Sequence, residues 1–342
     1  MRKFFLAPLI WLMATLAAYS FEIETEKLYG TGGGQSLAII SSVDIDIFEP
    51  LVLAYLATHP DTQIRYVVTN TQDLYRAISD EKAPFDLAIS SAMDLQIKLA
   101  NDGHASAFRS PGTAALPPWA HWRNLLFAFA QEPVVVALSM PAFEGLALPQ
   151  SREDLLQLLR DNPDRFTGRV GTYDPERSGA GYLFATQDAR QSDTFWRLAE
   201  VFGRVSPQLY TTTGAMISDL QNGKLAIAYN LLGPYVSESL KSWPEGRIVE
   251  LRDFTHVLLR TALVPATSTN PEAGGRFLDF LLSPEGQKVL AEESGLPPID
   301  EENLARQPHL RPIRLTPGLL VYVDPLKRRR FLNEWRAAVI QN

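Results

Sequence analysis

The chain has 342 residues, no cysteine, 46% hydrophobic residues and a formal net charge of −7. That size supports one or two substantial cores without disulfide staples, and two domains is the length prior. The acidic balance argues against nucleic acid and against anionic membrane surfaces as partners.

Arg2 and Lys3 precede an apolar run, Phe4 to Ala18, that ends in Ala18-Tyr19-Ser20. The run is shorter than the ~20 residues of a spanning helix. A positive start, a short apolar stretch and small residues at the cleavage positions predict a signal peptide over 1–20, cut after Ser20. The mature chain is then exported to the periplasm, with its net charge moved from −7 to −9 by loss of the two cations. No later segment reaches transmembrane length.

Leu37 to Ile40 reads as a strand that ends in Ser41-Ser42, and Ile47, Leu51, Ala54 and Tyr55 repeat at helical spacing after it. Ile64 to Thr69 is a second strand, followed by Asn70-Thr71 and a helix over 72–79. Phe85 to Ile89 is a third, followed by Ser90-Ser91 and a helix over 93–101. Ser91 and Asp94 have the spacing of a capping box. Three β-α units in a row predict a parallel sheet. Ligands of such sheets sit at the carboxyl ends of strands, against helix N-termini.

After Pro117-Pro118-Trp119, the apolar run from Leu125 to Leu138 is broken at Gln131 to Pro133 and predicts two extended segments. A helix over 154–160 and a strand over 170–172 lead to Tyr173-Asp174-Pro175-Glu176-Arg177-Ser178-Gly179-Ala180-Gly181-Tyr182. Next come a helix over 195–201, a helix opened by Thr211-Thr212-Thr213-Gly214, and a strand over 225–229 that ends in Asn230. A strand over 257–264 precedes two helices, 271–282 and 284–294, and Ser283 is placed to cap the second. The tail, 327–340, predicts a basic amphipathic helix with a solvated charged face.

The stretches FDLAISSAMDLQIKLANDG (85–103), GRVGTYDPERSGAGYLF (168–184), DLQNGKLAIAYNLLGPYV (219–236) and NPEAGGRFLDFLLSPEGQKVLAEESGLPPI (270–299) resemble, in that order, the type II periplasmic solute-binding proteins of ABC importers. The most similar branch is the iron(III) type, which also holds binders of phosphonates and sugar phosphates and is similar to the phosphoglycerate transport regulatory protein. The resemblance implies an α/β fold of two lobes joined by two extended hinge crossovers. Lobe 1 would be 21–127 plus 266–342. Lobe 2 would be 128–265 and include the hinge strands.

Iron-binding members resemble one another in carrying adjacent tyrosines after the strand that corresponds to 225–229. Here that place reads Tyr229-Asn230-Leu231-Leu232, and the histidines show no metal spacing. No metal and no cofactor are expected. A small organic anion, a phosphate ester, phosphonate or carboxylate, fits better. Backbone N–H groups of Ser178, Gly179, Ala180 and Gly181 open a helix, and Ser41, Ser42, Asn70, Thr71, Ser90 and Ser91 face them from the other lobe. Asp174, Arg177, Thr213, Tyr229 and Asn230 complete the candidate site.

The Ser178 turn lacks the glycine two residues earlier that a nucleophile elbow needs, so an enzyme is not expected. Gly32-Gly33-Gly34 follows no strand and lacks the lysine of a phosphate loop. The expected protein is a monomer that hands its ligand to an ABC permease. The alternative partner is a membrane histidine kinase, with the chain as a sensing subunit.

Overall fold

The computed structural model describes residues 21–31 and 33–341. The expected signal peptide, 1–20, lies outside the described residues. No helix among the described residues is long and apolar enough to cross a membrane.

The first lobe starts with β1 (Thr25–Tyr29), β2 (Gln35–Ser41), α1 (Ile45–Thr58), β3 (Thr62–Val68), α2 (Thr71–Ser79), β4 (Leu87–Ser90) and α3 (Met93–Asn101). The β-α alternation forms as the apolar spacing predicts. β2 lies between β3 and β4, parallel to both, and β1 closes the edge antiparallel to β3. The short β5 (Ala105–Ser106), α4 (Pro111–Ala114) and β6 (His121–Trp122) lead to β7 (Leu126–Ser139).

The second lobe holds α5 (Arg152–Asp161), α6 (Pro163–Phe166), β8 (Val170–Tyr173), α7 (Gly179–Gln191), α8 (Thr194–Arg204), β9 (Gln208–Tyr210), α9 (Thr213–Gln221), β10 (Ile227–Leu232), α10 (Gly233–Ser239) and β11 (Gly246–Val249). β8 runs parallel to β9 and β10. β12 (Thr255–Pro265) then returns to α11 (Pro271–Leu282) and α12 (Pro284–Glu292), where the Ser283 hydroxyl accepts the Gly286 N–H at 3.1 Å. The chain ends with α13 (Glu301–Arg306), β13 (Leu310–Pro312), α14 (Leu320–Val323) and α15 (Pro325–Val339).

The strand order β1-β3-β2-β4-β12-β7-β10-β8-β9 runs without a break from one lobe to the other. β7 is one strand where the sequence predicts two. Its residues 127–133 pair antiparallel with β12, and 134–138 pair with β10. Pro133 occupies the last register position of the β12 ladder, opposite Val257, where a missing N–H removes a terminal rung and leaves the strand unbroken.

The first lobe packs α1, α11 and α12 over one sheet face, with Phe48, Tyr55, Phe129 and Phe277 at the centre. The second packs α5 and α8 around Leu155, Leu159, Val170 and Phe202. α14 packs on α3 of the first lobe, whereas α15 packs on α8 of the second, burying Phe331, Trp335 and Val339. The tail therefore straps both lobes. Its charged face is not wholly solvated: Arg336 holds Glu176, with an Nε–Oε1 distance of 2.9 Å.

One polar pair is buried between the crossovers. Arg260 of β12 donates two hydrogen bonds to Glu132 of β7, at 2.7 and 2.9 Å, and both side chains are fully buried. A buried charge deprived of its partner is strongly destabilising. Glu132→Ala is expected to lower unfolding free energy by about 3–5 kcal/mol. The double replacement Glu132→Leu with Arg260→Met should cost far less, as measured by urea denaturation of each variant.

Candidate functional site

A cavity of about 490 Å³ opens where the carboxyl ends of the strands from both lobes meet. Ser42, Asp44, Thr69, Asn70, Thr71 and Ser91 line its first-lobe wall, together with Glu24. Tyr173, Ser178, Ala180, Thr211 to Gly214, Leu232 and Tyr235 line the other. Five helices of two turns or more start here: α1, α2 and α3 from one side, α7 and α9 from the other. Each leaves first-turn N–H groups without intrahelical acceptors and a positive dipole end. No lysine or arginine side chain lines the cavity among the described residues.

Several first-turn amides are taken by caps. Asn70 Oδ1 accepts from Gln72 and Asp73 at 3.0 and 2.9 Å. Ser178 Oγ accepts from Gly181 at 3.1 Å, and Thr212 Oγ1 from Ala215 at 3.3 Å. Gly179 N–H donates across the cleft to Thr71 Oγ1 at 3.0 Å, and Gln72 Nε2 donates to the Glu176 carbonyl at 2.9 Å. The lobes are thus in contact. Glycine at 179 permits it, since a Cβ there would lie 2.8 Å from Thr71 Oγ1 and 2.9 Å from Leu95 Cδ1. Gly181 is required by the approach of α7 to β8, where a Cβ would lie 2.3 Å from that of Tyr173.

Of the candidate residues, Ser42, Asn70, Thr71, Ser91, Ser178, Ala180 and Thr213 share this cavity, and Gly179 closes its edge. Ser41 and Ser90 are buried, and their hydroxyls accept the N–H groups of Val43 and Ala92 within their own turns, at 3.0 and 3.1 Å. Asp174 Oδ1 accepts the Glu176 N–H and shapes the turn before α7, while Arg177 is exposed on that turn; neither lines the cavity. The capping box at Ser91 and Asp94 is not formed: α3 starts after Ala92, and Asp94 is buried. The tryptophans before the first crossover are packed, with Trp122 buried and Trp119 Nε1 donating to Glu301 at 2.6 Å.

Tyr229 and Asn230 turn away from the cleft into a buried ionic cluster. Arg152, on α5, donates to Tyr229 Oη at 2.7 Å and to Asp188 Oδ1 at 2.9 Å. Tyr229 Oη and Asn230 Nδ2 donate to Asp188 Oδ2 at 2.9 and 2.8 Å, and His256 Nε2 lies 3.2 Å from Oδ1. Asn230 reaches Asp188 because the strand bulges between Ala228 and Leu231, with φ of 66° at Asn230. The strand therefore runs through 230–232 instead of ending at 229.

Glu24, Asp44, Thr69, Tyr173, Thr211, Thr212, Gly214, Leu232 and Tyr235 also line the cavity, beyond the residues expected from the sequence. Thr211 and Thr212 had a signal in the threonine run that opens α9. Glu24 had none, since β1 joins the sheet edge only through tertiary pairing. Burial, then the neighbouring Asp44, Glu22 and Asp73, raise the Glu24 carboxyl above its usual range. Asp44 is also raised, by burial foremost, against the pull of Arg260. Burial raises the Tyr173 and Tyr235 hydroxyls well above their usual value.

The sequence and fold agree with known proteins. Residues 39–296 match the family model for bacterial extracellular solute-binding proteins. The substrate-binding protein of an ABC transporter from Agrobacterium tumefaciens is 33% identical, with 92% of this chain and 98% of that one covered, at a TM-score of 0.88. The periplasmic binding protein AfuA from Actinobacillus pleuropneumoniae, with fructose-6-phosphate bound, shares the fold at 19% identity and a TM-score of 0.73, over 91% of this chain and 100% of that one. Iron-bound HitA from Pseudomonas aeruginosa does so at 20% identity and 0.67, over 89% and 99%. No curated protein sequence matches. The chain belongs to the bacterial extracellular solute-binding proteins. It is a periplasmic solute-binding protein of the ABC-importer class, with the type II fold.

The Arg152 cluster has a definite pH signature. Burial alone would raise the Asp188 carboxyl, but Arg152 foremost, then His256 and Asn230, hold it well below the usual carboxylate range. Its stabilisation is complete above about pH 4, the unfolded carboxylate value, and is lost as pH falls through the depressed folded value. Asp188→Asn should therefore lose about 3–5 kcal/mol at pH 7. The gap from the parent should narrow below about pH 3, as read by urea titration at each pH.

Proposed function

We propose that the protein captures a small organic anion between its lobes by hinge closure and delivers it to an ABC permease. The observation that carries this reading is the convergence of five helix N-termini and a set of hydroxyls on one cavity. The Ala180 N–H faces it with no protein acceptor among the described residues. The N–H groups of Ser178, Gly179 and Gly181 are held by Asp174, Thr71 and Ser178 Oγ, so the helix dipoles and the Ala180 amide are what favour a phosphate, phosphonate or carboxylate group. The second-lobe wall, with α7 and α9, takes the anionic group. The first-lobe wall, with Glu24 and Asp44, takes hydrogen-bond donors on the ligand's body.

Iron(III) is disfavoured by the same wall. Hard cations want anionic oxygen, yet burial keeps the Tyr173 and Tyr235 hydroxyls protonated, and Tyr229 is committed to Asp188. No group of three or more His, Cys, Asp or Glu suited to a metal occurs among the described residues.

The lobe boundaries proposed from the sequence, 21–127 with 266–342 and 128–265, fit this reading when the tail from 320 is treated as a strap over both. The chain acts as a monomer after removal of residues 1–20.

Ser178→Asp tests the site. Aspartate also caps helices well, so the fold and melting temperature should be kept while the new charge repels the anion. A thermal-shift screen of phosphate esters, phosphonates, carboxylates and Fe(III) should identify a ligand, since one at a hundred times its Kd adds about 2.7 kcal/mol. Calorimetry should then show that affinity lost in Ser178→Asp. Unchanged affinity in the variant, or a shift with Fe(III) alone, would overturn the proposal.

A further inference from the structure

Behind the main cleft lies a second cavity, with about 620 Å³ of empty space. The Thr71–Gly179 and Gln72–Glu176 bonds separate the two. Its walls come from α2, α3, α7 and the tail strap, so both lobes contribute. The body of the space is apolar and aromatic, formed by Tyr75, Leu95, Tyr182 and Val323.

Two buried polar atoms on these walls have no hydrogen-bond partner. One is Oδ2 of Asp94, a residue that is only 2% exposed. Its Oδ1 accepts the Leu95 N–H at 2.9 Å, so one oxygen is satisfied and the other is not. The second atom is Nε of Arg328, whose guanidinium lies 4.8 Å over the Tyr182 ring. A buried donor or acceptor left unmade carries its full desolvation penalty. Both side chains line the same space, and no ion pair joins them.

We propose that this second cavity binds a small monocarboxylate with an aromatic or apolar body, held by Arg328 Nε–H and the Asp94 carboxyl group, and that its occupant secures the closed arrangement of the lobes. The charges explain the choice. The other charged groups on the walls are cations, and two of them are already paired: Arg76 with Asp73 and Lys98 with Asp102. Of the three cations on these walls, Arg328 is the one with a buried donor that lacks an acceptor. Burial pushes the Asp94 carboxyl up to about 7, against weaker opposing pulls from the Leu95 amide and Arg328. Protonated, it donates to a carboxylate oxygen; ionised, it repels one. A ring between Tyr75 and Tyr182 fills the apolar body of the site. Contact with both lobes and the strap then favours the closed form by differential binding. This site is spatially separate from the anion site in the main cleft, and the two are coupled only through closure.

The test uses benzoate with the purified protein in the Ser178→Asp background, which bars anions from the main cleft. Calorimetry should show binding about tenfold tighter at pH 6 than at pH 8, as expected where one proton must be present on a group titrating near 7. Asp94→Asn, whose amide still donates, should keep binding and lose the pH dependence. Arg328→Met, which keeps the length of the stem, should weaken binding at least tenfold. Absence of binding at both pH values, meaning that the cavity holds water only, would overturn the proposal. So would pH-independent binding in the parent, or benzoate binding that Ser178→Asp abolishes.

Discussion

The Glu132–Arg260 pair is the interaction on which the two-lobed architecture turns. It joins the two strands that cross between the lobes, at a point where both side chains are out of water. Charge in such a place is tolerated only with a geometrically satisfied partner. The bidentate fork fixes β7 against β12 just where β7 exchanges one lobe's neighbours for the other's. The guanidinium also acts on the cleft above it. It opposes the burial of Asp44 and draws down the hydroxyls of Tyr173 and Tyr235. Glu132 pushes the same two hydroxyls the other way, so the hinge sets an oriented ion pair, positive end and negative end both fixed, beneath a site whose walls present no basic side chain.

The second lobe has its own buried charge system in Arg152, Asp188, Tyr229, Asn230 and His256. Four elements meet there: α5 gives Arg152, α7 gives Asp188, β10 gives Tyr229 and Asn230, and β12 gives His256. The cluster ties the helix that opens at Ser178 to the strand behind it. The N-terminus of α7 is thus aimed by bonds made three turns further along the same helix. Two residues that occupy strand-end positions in the sequence are consumed in that internal role, and the cleft is lined by others.

The strap formed by α14 and α15 adds a constraint that a pair of hinged lobes alone would lack. One part rests on α3, the other on α7 and α8. Tyr182 Oη donates to the Tyr322 carbonyl at 2.5 Å, and Arg336 reaches Glu176. Opening of the cleft has to move or release this segment, so closure energy is shared between the main cleft, the cross-cleft bonds and the tail.

Sequence periodicity alone determined the β-α order, most helix limits and the capping residue Ser283, because these depend on neighbours a few positions apart. It also placed Ser42, Thr71, Ser91 and Ser178 on strand-to-helix turns, where a parallel sheet puts its ligands. Tertiary structure alone decided which of each serine pair faces the cleft, since a one-residue step along a strand reverses the side chain: Ser42 and Ser91 point out, Ser41 and Ser90 point in. It decided that Asn230 bulges inward to Asp188, that β7 survives Pro133, and that Glu24 joins the site from a distant edge strand. Those outcomes rest on partners 35 to 128 residues away in the chain for Arg260, Tyr229, Asn230 and β1. No local pattern encodes which distant group will be there to satisfy a buried charge.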